Sequence, residues 1–184
     1  MELPLEATRE WVQSVVIRLE LCPFAASVFR AGRVRFALSP ACEPEALLAD
    51  LDTELARLLR TPVADLDTTL LVHPDALTDF EVYNDFLNVG EALLRERGCD
   101  GVVQLASFHP DYCFADTPSD DPANWTNRSP HPMLHLLREQ SIADALSVYG
   151  GDPADIPTTN AERLRRLGAR EMARELERCR QSQG

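Results

Sequence analysis

Several signatures are missing from this chain of 184 residues, and each absence removes a class of function. No apolar run approaches the roughly 20 residues that a membrane span needs. The opening stretch, Met1-Glu2-Leu3-Pro4-Leu5-Glu6, has no basic flank followed by an apolar block, so no export signal is visible. No CxxC pair occurs, and the five cysteines lie scattered at 22, 42, 99, 113 and 179. An odd, unpaired set without an export signal predicts free thiols in a reducing cytoplasm. The eight glycines form neither a phosphate-binding loop nor a dinucleotide fingerprint. There is no GxSxG nucleophile elbow and no HExxH zinc helix. Positive charge is also short: the net charge is -12, which repels nucleic acid. Arginines do gather near the C-terminus, but glutamates are interleaved with them, the pattern of a solvated face.

What is present is ordinary for a globular protein, with 45% apolar and 7% aromatic residues, enough for one domain over residues 1–184. Val12, Val15, Val16 and Leu19 predict a first helix from Leu5 to Glu20, and Pro23 opens a short second one reaching Ala31. Arg33 to Leu38 alternates as a half-buried strand. Leucines at helical spacing mark a helix from Pro44 to Leu59. Thr68 to Val72 reads as a strand buried on both faces. Thr78 and Glu81 match a capping box, starting a helix that ends at Arg97 before Gly98. Val102 to Phe108 is the next strand. A polar loop over 110–128 follows, then a helix from Pro130 carrying His131, His135, Arg138 and Glu139. A final helix over 160–181 opens with the Thr159 to Glu162 capping box. Strands alternating with helices predict an α/β fold: a small, mainly parallel sheet of three or four strands with helices packed around it.

Three of the four histidines fall between His109 and His135. His73-Pro74 and His109-Pro110 each follow a strand, so parallel strands would bring both imidazoles to the carboxyl edge of the sheet, where ligands bind in open α/β folds. A histidine there can exchange a proton or bind a metal. Asn127-Arg128-Ser129-Pro130 suits a capped helix start: Ser129 as N-cap, free amides, and Arg128 as a bidentate donor for an anion. An equal alternative is that Arg128 pairs with Asp116, Asp120 or Asp121. On the expected helix, His131, His135, Arg138 and Glu139 share one face. Cys22, read as N-cap of the short second helix, would face the positive end of its dipole and favour thiolate.

Leu21-Cys22-Pro23-Phe24-Ala25, Ser107-Phe108-His109-Pro110 and Asn127-Arg128-Ser129-Pro130 running into His135-Leu136-Leu137-Arg138-Glu139 resemble a family of bacterial proteins of this length, catalogued as a domain of unknown function. The resemblance covers nearly the whole chain. It implies a stand-alone cytoplasmic protein and carries no activity with it. That family often has an aromatic residue where this chain has His131, which leaves His109 and His135 as the stronger candidates.

The expectation is a cytoplasmic enzyme acting on a small anionic molecule. His109 would be the general acid/base, aided by His135, with Cys22 as a candidate nucleophile. Asn127, Arg128, Ser129 and Arg138 would hold the anion, and the 110–128 loop would close over it. The first alternative is a transition-metal or haem protein with His109, His135 and Cys22 as ligands, completed by Cys113 or His73. The second is a non-catalytic interaction module.

Overall fold

The computed structural model describes residues 3–181. Met1 and Glu2, the start of the stretch inspected for an export signal, lie outside them, as do residues 182–184. No helix of the described residues is long and apolar enough to cross a membrane.

Four strands form one mixed sheet: β1 (Val34–Leu38), β2 (Thr68–Val72), β3 (Val103–Phe108) and β4 (Met133–Arg138), in the order β1-β2-β4-β3. β1 and β2 pair in parallel, while β4 is antiparallel to both β2 and β3. Three strands therefore point one way, as expected, and β4 runs back between two of them. The expected helix over 131–139 is this fourth strand. Its side chains face apolar surroundings on both sides, so it reads as one apolar run without alternation. Flanking prolines reinforce extension, because Pro130 and Pro132 push Ser129 and His131 out of the helical region.

One face of the sheet carries α3 (Pro44–Arg60) and α4 (Phe80–Glu96). Leu47, Leu51, Leu55 and Leu58 form a helical stripe that packs with Leu71, Leu134 and Leu136 of the sheet. Each such fully buried leucine contributes roughly 1.5–3 kcal/mol. Gly90 lets α4 approach closely, since a Cβ there would lie 2.8 Å from the Leu105 side chain. The cap of α4 is Asp79, one residue beyond the expected Thr78, with its carboxylate accepting from the Glu81 and Val82 amides at 2.9 and 3.1 Å.

The other face is covered unevenly. α1 (Leu3–Trp11) continues into a π-helical turn, Val12–Ile17, and packs with the C-terminal helices over Leu70, Val72 and Met133. The expected single C-terminal helix is two, α6 (Ile156–Leu167) and α7 (Ala169–Gln181), separated at Gly168 with φ +83. α6 begins at Ile156, ahead of the expected Thr159 capping box. The half of this face nearer the amino ends of β1, β2 and β3 lacks such cover. It is flanked by α2 (Ala25–Arg30) and α5 (Glu139–Ser147), neither of which has a buried residue.

Candidate functional site

His73 and His109 do emerge at the same sheet edge, but as packing rather than as a site wall. Both are fully buried and both lie against Tyr83, with ring centroids 5.9 and 5.0 Å away. His109 Nδ1 accepts from the Asp111 amide at 3.0 Å, and Nε2 donates to the Leu77 carbonyl at 3.2 Å. That is a neutral imidazole with both nitrogens occupied by backbone, and burial lowers its pKa. His73 donates from Nδ1 to the Ala76 carbonyl at 2.9 Å, and burial pushes its pKa down to about 4.

The segment after His109, the expected 110–128 loop, is tied down along its length. Its ends meet through the His109 amide to the Asn127 carbonyl at 3.2 Å. Arg128 reaches inward to the carbonyls of Tyr112 and Ser119 at 3.0 and 2.9 Å and lies 4.9 Å from the Trp125 ring. Asn127 donates to the Ser107 carbonyl at 3.0 Å. Ser129 is buried and donates to the His131 carbonyl at 2.7 Å, so it caps no helix. With a strand following, no helix N-terminus faces Arg128, and the expected anion cradle is not assembled. Among the acidic residues of this loop, Asp121 pairs with Arg165 at 2.9 Å instead of with Arg128.

Three other candidates do come together. His135, Cys22 and Arg138 line one cleft of about 590 Å³ over the thinly covered half of the sheet. This volume is in the range of small-molecule sites. Its floor comes from alternate strand positions on one face: Val34, Thr68, Leu70, Gln104, Ala106, His135 and Leu137. β-register fixes this, since His135 stands between Leu70 and Ala106, and Leu137 between Thr68 and Gln104. Phe24, Ala25 and Val28 wall one side and Ile142 and Ala145 the other.

His135 is the most informative polar group on that floor. Its Nε2 lies 2.6 Å from the Thr68 hydroxyl, which lies 2.7 Å from the Leu136 carbonyl. A carbonyl only accepts, so Thr68 donates to Leu136 and accepts from His135. The proton therefore sits on Nε2, leaving Nδ1 as a bare acceptor. Nδ1 has no hydrogen-bond partner among the described residues, and it is not among the polar atoms closed off from solvent. Surrounding carbon disfavours the charged ring and pushes its pKa down to about 4. A second unpaired group stands nearby: the Trp11 indole N–H is buried without a partner, and Trp11 also lines the cleft. Phe108 lies between the two, its ring 5.2 Å from the indole and 6.0 Å from the imidazole.

Cys22 precedes α2 by three residues and is not its N-cap, which is Phe24. Burial raises its thiol pKa, only partly offset by the Phe24 and Ala25 amides, so it rests as a neutral thiol rather than the expected thiolate. The chain reaches it through Glu20, a non-glycine residue with φ +51. α6 holds this strained turn, with Asn160 donating to the Leu21 carbonyl at 2.7 Å and Arg163 bonding the carbonyls of Leu19 and Glu20. Arg138 lines the cleft only by its flank; its guanidinium donates to the carbonyls of Leu58, Thr61 and Leu66 at 2.5 to 3.3 Å.

The expected ligand shell of His109, His135 and Cys22 is not brought together, since His109 lies outside the cleft. Among the described residues no group of three or more His, Cys, Asp or Glu is placed to hold a metal ion. Thr68, Gln104 and Trp11 were missed in the sequence. The available signal was polar residues recurring on one face of neighbouring strands, and it needs the strand order to be read.

Comparison with curated proteins and with solved structures returns no match. A family profile described as "Protein of unknown function (DUF1415)" matches residues 4–174, and the chain belongs to that family.

Proposed function

We propose that this protein takes a small molecule into the sheet-floored cleft and exchanges a proton with it through His135. One observation supports this above the others: an imidazole with one nitrogen locked by Thr68 and the other bare in a mostly apolar cavity. A base must reach its proton within hydrogen-bond distance and in a known tautomer, and His135 satisfies the second condition before any ligand arrives. Thr68 is the positioning residue. The chain has no lysine, so imine-forming side-chain amines are not on offer and acid/base work falls to histidine. Arg128 and Arg138, expected to hold an anion, are engaged by backbone carbonyls, which favours a substrate held mainly by apolar contact.

A carrier that binds without turnover is the second reading. It is favoured by the same burial that lowers the His135 pKa to about 4, since a base that weak is poorly matched to neutral pH. Mass spectrometry of a metabolite extract incubated with wild type, His135→Gln and Thr68→Val separates the two. Catalysis predicts that wild type depletes a species that His135→Gln leaves untouched and Thr68→Val consumes slowly. A species retained without conversion by wild type, and retained less by the two variants, supports the carrier. Equal behaviour of all three proteins contradicts both readings.

A further inference from the structure

Resting on the cleft being a small-molecule site, we infer that its ligand is an uncharged, largely apolar ring compound presenting an O–H or N–H donor to His135 Nδ1. The charges around the cleft lead to this. Arg33 pairs with Asp67 at 3.1 Å and also donates to the Val63 carbonyl at 3.3 Å. Arg138 is covered by three carbonyls. Asp144 accepts from the Gln140 amide at 2.7 Å. Every ionised side chain lining the cleft thus has a partner within the fold. A charged ligand would lose its hydration and find no ionised side chain left without a partner, which is costly in a mostly apolar cavity.

The floor selects among neutral ligands. Nδ1 of His135 carries a lone pair and no proton, so a hydroxyl or ring N–H is bound, whereas a carboxylate or carbonyl oxygen meets lone pair with lone pair. A ligand lacking a donor leaves that nitrogen desolvated and unpaired. Trp11, Phe24 and Phe108 supply aromatic edges and faces, which favour a ring over a flexible chain. The Trp11 N–H beyond Phe108 is closed off from solvent, so His135 Nδ1 remains the group that a ligand reaches.

Three probes of one ring size test the inference: 2-naphthol, 2-methoxynaphthalene and 2-naphthoate, titrated into the full chain at pH 7. Calorimetry reads affinity, and amide shifts at Thr68, Gln104, His135 and Ile142 report the place of binding. 2-Naphthol is expected to bind about tenfold tighter than either of the others, the size of one hydrogen bond. His135→Phe is expected to erase its advantage over 2-methoxynaphthalene. Thr68→Val, which frees the tautomer, serves as the second variant and is expected to reduce that advantage. If 2-naphthoate binds tightest, or if the naphthol and the ether bind wild type equally in the cleft, the ligand class is wrong while the site survives. If no probe moves the four reporter residues, the site itself fails.

Discussion

Arg138 closes the carboxyl end of α3. Its guanidinium covers the carbonyls of Leu58, Thr61 and Leu66, the first of them in the last turn of the helix. Removing it strands several acceptors in a partly buried place. Arg138→Ala is expected to cost about 2–3 kcal/mol, read as a lower urea midpoint at unchanged slope. Arg138→Lys should recover only part, because an ammonium cannot spread donors across three carbonyls. A loss below about 0.5 kcal/mol would mean that water replaces the guanidinium freely. The sequence marks this residue as chemically notable, and the structure assigns it to the scaffold. His109 and Arg128 share that outcome, with backbone partners invisible in a linear reading. His135 differs: its strand neighbours satisfy only one of its two nitrogens.

Elements were legible where a helical apolar stripe or a short run with β-branched residues marks them. The leucine stripe of α3 and the buried run of β2 match their expected spans closely. β4 was not legible as a strand. Met, Leu, His and Arg are competent helix formers, and a strand apolar on both faces has no period-two signal. Tertiary placement between β2 and β3 decided it. The paired walls of the cleft are the other element-level feature. α2 and α5 bury no residue, and the residues flanking them, Phe24 before α2 and Tyr149 after α5, meet with rings 5.7 Å apart in an edge contact. Gly151 lets that tyrosine sit close, since a Cβ there would approach its ring to 3.1 Å. Elements with so little burial open at low cost. Amide exchange of α5 should be faster than that of β2 and β4 by at least about a hundredfold, and Tyr149→Ala should accelerate it further. Equal protection of α5 and β2 would show the wall to be rigid.

At the scale of the whole molecule, buried neutral histidines couple stability to pH. His73 holds a pKa of about 4 where an open histidine titrates near 6.5, because burial excludes the charged ring. Its folded pKa is depressed, so its contribution is complete above about 6.5 and is lost as pH falls toward 4, where the unfolded chain takes up a proton first. The shift corresponds to about 3 kcal/mol. Urea unfolding at pH 7 and pH 4.5 should show wild type losing about 2.4 kcal/mol more than His73→Gln, a comparison that subtracts the common titration of surface carboxylates. Identical losses in the two proteins would contradict a neutral buried His73. One domain with strands and helices in near-expected order was readable from pattern alone. The position of the cleft was not, because it depends on which face each strand presents and on β4 turning back through the sheet. The rule placing ligands at carboxyl strand ends pointed to His73 and His109, but that edge is filled by Tyr83 and Phe80.

Crystals soaked with a library of small neutral aromatic fragments test the central point most directly. The predicted result is that fragments gather on the sheet floor between α2 and α5, with a donor atom within about 3 Å of His135 Nδ1. An empty cleft, with fragments instead collecting beside His109 and Arg128, would contradict it.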